Sequence, residues 1–250
     1  MSLQTIRRAG EFLALFTTDA PEWGVTEAAE RTRLPKTIAH AQLSSLTEIG
    51  LLRRTAQNRY RLGWRILDLS RTLDASTAFR QTARPVMRAL ADSTGETVHL
   101  AILEDGRAVY VEKIEGRHGV QIGESHIGAQ LPAHCSGVGK VLLAFRPWTD
   151  VERIIREHGL ASRTPHTITS PDVLRLEITT VRRQRLAYDH EEAVLGIACV
   201  AAPVFGANGL IACALSLSAP APRYAERSET YRQAVTTAAT RLSTQLGGRP

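Results

Sequence analysis

The hydrophobic period changes near Glu96, and this change narrows the folds open to the 250-residue chain. Before it, apart from one short basic hairpin, apolar residues recur at three- and four-residue spacing, the period of an amphipathic helix. After it, apolar runs of strand length are interspersed with helical stretches. A chain of this length suits two small domains. The order points to a helical N-terminal domain and then an α+β domain in which helices pack on a mixed sheet. The boundary is expected near residues 74–78, dividing the chain into residues 1–63, a linker helix over 64–77, and residues 78–250.

In the first part Ile6, Ala9, Leu13 and Phe16 share one helix face, which predicts a helix over residues 3–17. Thr26 is the expected N-cap of a short helix to about Thr32, with Glu27 in its first turn. The next helix is expected from Pro35, at its first position, to Ile49, where Gly50 stops it. Ala39, Leu43, Leu46 and Ile49 form its inner stripe. Lys36, Thr37, His40, Ala41 and Ser44 form its outer face. Leu51–Arg54 and Arg59–Leu62 read as two short strands around an Ala56-Gln57-Asn58 turn.

Helix, short helix, turn, helix and basic hairpin is the layout of a winged helix-turn-helix. Residues 1–71 hold eleven Arg and Lys against seven acids, so +4 of the chain's net +6 lies there. That asymmetry points to a polyanion, here double-stranded DNA. The second helix of the pair would enter the major groove, and the hairpin arginines would hold phosphates. The expected DNA-facing set is Thr26, Lys36, Thr37, His40, Ala41, Ser44, Arg53 and Arg59. Taken singly, His40 and Lys36 also fit an ordinary solvated surface.

Leu62–Leu73 has helical periodicity and serves as the connector. Thr77–Ser93 is a second helix that Pro85 either interrupts or opens. Thr97–Leu103 and Ala108–Ile114 are strands around an Asp105-Gly106 turn, with a third strand at Val120–Glu124. Helices are expected over Val151–His158, from Ser170-Pro171-Asp172 to Arg185, and over Tyr224–Leu246. Strands are expected at Ala187–Ala193, Gly196–Phe205 and Leu210–Ser218.

Leu131–Phe145, LPAHCSGVGKVLLAF, carries a small Gly-rich turn into an apolar helix. It reads either as a tight turn that starts a helix or as a cradle of backbone N–H groups for an anion. It is no nucleotide phosphate loop, because Val141 follows Lys140 where Ser or Thr is required. Lys140 lies one turn along the helix and reads as structural or surface-facing. Ser216 and Ser218 alternate within a strand and so share a face. Cys199 lies in the neighbouring strand, and Asp189, Glu191 and Glu192 just before it. If the Gly-rich turn faces this sheet, the result is a small polar pocket suited to an organic anion or a hydroxylated acid. The alternative is that the serines face solvent and Cys199 is a small core residue.

Adjacent His134 and Cys135 rarely aim at one another, and no GxSxG elbow, CxxC or HExxH spacing occurs. No catalytic residue, metal or cofactor is therefore expected. No apolar run reaches the ~18 residues of a membrane span, and the first residues carry no secretory signal. Three widely spaced cysteines make no disulfide framework, so the cytoplasm is the expected compartment.

The chain resembles the IclR family of bacterial transcription regulators over roughly residues 3–246. The motifs that carry the resemblance are RLPKTIAHAQLSSLTEIGLL (33–52) with RYRLG (59–63), TGETVHLAILEDG (94–106), LPAHCSGVGKVLLAF (131–145), and DHEEAVLGIACVAAPVF (189–205) with ALSLSAP (214–220). The resemblance implies a winged helix-turn-helix followed by an effector-binding domain similar to a GAF or PAS fold. It implies homodimers, often paired into tetramers, acting on operator DNA, with small carboxylic or aromatic acids as effectors. By the same resemblance the effector site is Gly137, Val138, Asp189, Cys199, Ser216 and Ser218. The recognition helix departs from the family: Thr37-Ile38 stands where a Ser-Thr pair is common, and Ala41 where an Arg is common. The expected function is ligand-responsive transcription regulation. The alternative is a small-molecule sensor that acts through a protein partner and has a degenerate DNA-binding domain.

Overall fold

In the computed structural model, residues 3–76, 78–118 and 125–249 are described. The strand expected at Val120–Glu124 lies outside them. The chain divides into two compact units, Met1–Thr77 and Ala78–Pro250.

The first unit runs α1 (Gln4–Leu13), α2 (Val25–Thr32), α3 (Lys36–Glu48), β1 (Leu52–Arg54), β2 (Tyr60–Leu62) and α4 (Arg65–Ser76). Its core joins Phe12 of α1, Ala28 and Ala29 of α2, Ala39, Leu43 and Leu46 of α3, and Leu52 and Tyr60 of the hairpin. Helix α1 ends a turn earlier than its periodicity predicts. The chain bends there around the Trp23 indole, whose N–H donates to the Leu15 and Ala20 carbonyls at 2.8 and 3.2 Å. Gly24, not Thr26, caps α2, and the Glu27 carboxylate accepts the Gly24 N–H at 3.0 Å. Thr26 therefore lies exposed inside the first turn. Pro35 is the N-cap of α3, one place earlier than expected. Gly50 sits at φ +77°, which makes it the stop the sequence indicates. Ile49 is 50% exposed rather than part of the inner stripe, because the chain leaves the helix there. Leu62 ends β2, so the connector helix opens only at Arg65.

The second unit begins with α5 (Ala78–Thr94), β3 (Thr97–Glu104), β4 (Arg107–Ile114), β5 (Gln130–Pro132), a single 3-10 turn (Ala133–Cys135) and α6 (Gly137–Ala144). It continues with α7 (Trp148–His158), α8 (Pro171–Gln184), β6 (Ala187–His190), β7 (Ile197–Phe205), β8 (Ile211–Pro220) and α9 (Ala221–Gln245). The strands form one sheet in the order β5-β4-β3-β8-β7-β6. The α+β class holds. The sequence left strand direction mixed, whereas every pairing among the described strands is antiparallel. Helix α5 runs through Pro85 instead of stopping there, which leaves the Gln81 carbonyl without its helical partner. Strand β6 ends at His190, short of Ala193, because Glu191 adopts φ +62° and turns the chain.

Helices α5 and α9 cover one face of the sheet, and α6, α7 and α8 the other. Leu215 and Leu217 of β8 pack with Met87, Tyr231 and Leu242 on the first face. Ala214, on the opposite face of β8, packs with Val138, Val141, Leu174 and Ile178. Strands buried on both faces are apolar almost throughout, as β7 and β8 are. The exceptions Cys199, Ser216 and Ser218 lie toward α6, and Cys213 packs on the face of α5 and α9. Among the described residues no helix is long and apolar enough to cross a membrane.

Candidate functional site

Helix α3 buries Ala39, Leu43 and Leu46 and leaves Lys36, Thr37, His40 and Ala41 exposed, with Ser44 half-buried beside them. This is the small, polar and basic face expected of a groove-facing helix. In the hairpin one of the two expected arginines is already paired. The Arg59 guanidinium forks onto Glu27 at 3.0 and 2.7 Å, donates to the Glu22 carbonyl at 3.2 Å and lies 3.5 Å from the Glu22 carboxylate. Arg61 also pairs with Glu22. The hydrogen bond from Arg59 pulls the Glu27 carboxyl down to about 2, helped by the Gly24 N–H. Arg59 thus ties the hairpin to α2, and this exposed ion pair competes with a phosphate contact. Arg53 stacks over the exposed Trp64 ring at 5.2 Å, and Arg54 over Tyr60 at 5.6 Å. Neither has an ion-pair partner among the described residues. Arg54, absent from the expected set, is therefore as available as Arg53.

In the second unit all six residues of the other set line one narrow cavity. The sheet register explains why. Asp189 pairs with Cys199, and Cys199 with Ser218, so three adjacent strands place them in one row. The Cys199 thiol donates to Ser218 Oγ at 3.1 Å. Ser218 Oγ is 3.4 Å from His99 Nδ1, and the His99 ring stacks on Tyr110 at 4.5 Å. Burial, then the Lys113 charge, pushes His99 down to about 3, so it is neutral. Tyr110, Ser136 and Ile197 also line the cavity. Sequence reasoning missed these, along with His99.

The turn into α6 closes the opposite wall. Ser136 caps the helix, its Oγ accepting the Gly139 N–H at 3.2 Å. The Gly137 and Val138 amides head the helix, where no helical carbonyl can reach them. A Cβ on Gly139 would stand 2.3 Å from the Ala133 carbonyl oxygen, so only glycine lets the 3-10 turn pack against α6. Lys140 is 1% exposed and its ammonium bonds Glu192 at 2.6 Å and Glu177 at 3.0 Å. It is structural, but buried rather than surface-facing. Glu192 in turn gives its backbone N–H to Asp189 Oδ1 at 2.7 Å. Burial drives the Asp189 carboxyl up to about 7 despite that bond.

The His134–Cys135 pair does not form a nucleophile. His134 Nε2 meets the Ala161 carbonyl at 3.1 Å, and the Cys135 thiol turns to the Pro132 carbonyl at 3.5 Å. Burial pushes that thiol up to about 12, so it is no thiolate. Among the described residues no cluster of His, Cys, Asp or Glu is placed to hold a metal ion.

A winged helix-turn-helix with an exposed polar and basic recognition helix, joined to a separate α+β unit, defines a DNA-binding regulator with an effector domain. Comparison with known proteins narrows this. Residues 5–56 match the IclR helix-turn-helix domain, and residues 73–244 match the bacterial transcriptional regulator IclR C-terminal domain. The chain belongs to the IclR family of bacterial transcription regulators. It is 32% identical to the HTH-type transcriptional regulator XynR of Escherichia coli over 247 residues, covering 98% of each chain. Its fold is similar to the Thermotoga maritima IclR crystal structure, with TM-score 0.79, 29% identity, and coverage of 98% of this chain and 100% of that one. It is also similar in fold to an IclR homolog from Microbacterium hydrocarbonoxydans crystallised with 4-hydroxybenzoate, with TM-score 0.84, 24% identity, and coverage of 97% and 99%.

Proposed function

We propose that the chain is a cytoplasmic homodimeric regulator whose affinity for operator DNA changes when a small organic acid fills the cavity beneath α6. One observation carries the ligand class: the Gly137 and Val138 backbone, the Ser216 and Ser218 hydroxyls and the Cys199 thiol line one cavity. Amides at a helix start favour a carboxylate, and the hydroxyls and Asp189 suit its other oxygens. The homodimer reading is supported by Leu3, Ile6, Leu67 and Leu73, large apolar side chains of the first unit that are 59–70% exposed. Two copies would present two α3 helices to two half-sites about one DNA turn apart.

A thermal-shift screen of small carboxylic and aromatic acids tests the ligand class, with 4-hydroxybenzoate, benzoate and pyruvate among the probes. An acid specific for the folded chain at 100 times its Kd adds about 2.7 kcal/mol of stability. No shift with any acid would remove the effector reading. For DNA, Lys36→Ala is expected to weaken binding to all upstream fragments and to lower the salt slope by about 1. Arg59→Ala is expected to leave that slope unchanged, since its guanidinium already holds Glu27. The slope of log K against log salt, measured by fluorescence anisotropy, separates the two.

A further inference from the structure

Among the described residues the cavity is lined by one carboxyl, that of Asp189, and by no Lys, Arg or His. That imbalance limits what charge it can hold. Asp189 is 3% exposed. Its Oδ1 accepts the Glu192 and Ala193 N–H groups at 2.7 and 3.4 Å, and its other oxygen has no partner among the described residues.

The charged and titratable groups packed around it give it no direct ion-pair partner among the described residues. Cys199 on β7, Tyr110 on β4 and Cys135 before α6 are held neutral by burial, as is His99 on β3. Lys140 on α6 is committed to Glu192 and to Glu177 of α8. Arg163, in the segment before α8, gives its Nε–H to the Ala193 carbonyl at 3.1 Å. Lys140 thus pairs with two carboxyls, and its charge offsets only part of the burial of Asp189, which it does not touch. A second anion placed beside an ionised Asp189 would meet a buried like charge, which neither group tolerates.

We propose that a monocarboxylate enters this cavity together with one proton taken from solution onto Asp189, whose neutral carboxyl then donates its O–H to the bound anion. The inference rests on the effector-cavity reading above. No covalent bond is made or broken; the complex gains one proton and one anion. Burial raises the Asp189 carboxyl to about 7 in the free chain, so at pH 8 the proton is absent before the ligand arrives. A dicarboxylate brings a second charge with no partner and binds more weakly.

Titration calorimetry of the full chain tests this with benzoate, which has no group titrating between pH 6 and 9. Heats measured in two buffers of different ionisation enthalpy count the protons. Uptake approaching one proton per benzoate at pH 8 is expected, with affinity falling about 100-fold from pH 6 to 9. Asp189→Asn keeps the acceptor for Glu192 and a donor for the ligand, so it should bind benzoate with no such uptake and little pH dependence. Terephthalate should bind wild type at least tenfold more weakly than benzoate. Benzoate binding with no proton uptake and constant affinity overturns the inference and leaves the effector reading standing. Failure of benzoate, 4-hydroxybenzoate and pyruvate to bind even at pH 6 overturns both. If Asp189→Asn does not fold, the wild-type proton count and pH profile decide alone.

Discussion

Lys140→Met is expected to cost about 3–5 kcal/mol of folding free energy, because it strands a buried carboxylate. The Lys140 ammonium is the ion-pair partner of Glu192 at 2.6 Å, and Glu192 is 5% exposed with its Oε2 unbonded among the described residues. A methionine of similar volume keeps the packing and removes the charge. Glu192 must then take up a proton or drag water inward. Glu177 loses the same partner but is a third exposed and can turn to solvent. The loss is expected to appear in the urea midpoint with little change in slope. Adding Glu192→Gln should recover most of it, since a neutral pair is often no worse than a buried ionic one. A single substitution costing under about 1 kcal/mol would mean that the network is solvated. The damage should also reach the cavity, because the Glu192 backbone is bonded to Asp189.

Asp189→Asn is expected to act in the opposite direction, raising stability at pH 8 by about 4 kcal/mol. Folding raises this carboxyl from the 3.8 of a solvated aspartate to about 7, chiefly through burial. Each tenfold weakening of an acid on folding corresponds to about 1.4 kcal/mol. Between about pH 4 and pH 7 the folded chain keeps a proton that the unfolded chain has released, so its stability falls as pH rises through that window. Above about pH 7 both states are ionised and the penalty is constant. Asparagine has no such penalty, so the two stability curves should coincide near pH 4 and diverge upward. Urea unfolding at pH 4.5, 6 and 8 measures the gap. A gap that stays flat with pH would show that Asp189 is ionised at an ordinary pH. Aspartate at this position then weakens the fold, and a group retained at such cost fits a role in binding rather than in packing.

The shared face of Ser216 and Ser218 could be read from sequence because strands alternate with period two, whereas the row Asp189, Cys199, Ser218 depends on the strand register. The same arithmetic fails at β4. There the register against β3 skips one residue between Glu112 and Tyr110. Val111 is the extra residue, so Ala108 and Tyr110 face α6 while Ile114, of the same parity, faces α5 and α9. Tyr110 therefore could not be assigned to the cavity beforehand. The ion pairs of Arg59 were hidden from the sequence for a different reason. A basic hairpin residue looks like a phosphate contact until its partner is known, and Glu27 lies 32 residues away. Lys140 presents the same problem: its place one turn beyond the cavity rim follows from helix geometry, but its burial depends on Glu192, 52 residues later. Caps and helix ends moved by a residue or two, as at Gly24 and Pro35, where the backbone rather than the side-chain type decides the start.

Coupling between acid binding and DNA binding requires the acid to bind two DNA-affinity states unequally. The most direct measurement is fluorescence anisotropy of a labelled fragment upstream of the chain's own gene, titrated with full-length protein at fixed salt. It is run without acid and with whichever acid gives the largest thermal shift. Salt-dependent binding whose Kd moves at least about fivefold with the acid is the expected result. Either no binding to any upstream fragment, or a Kd that the bound acid leaves unchanged, would contradict it.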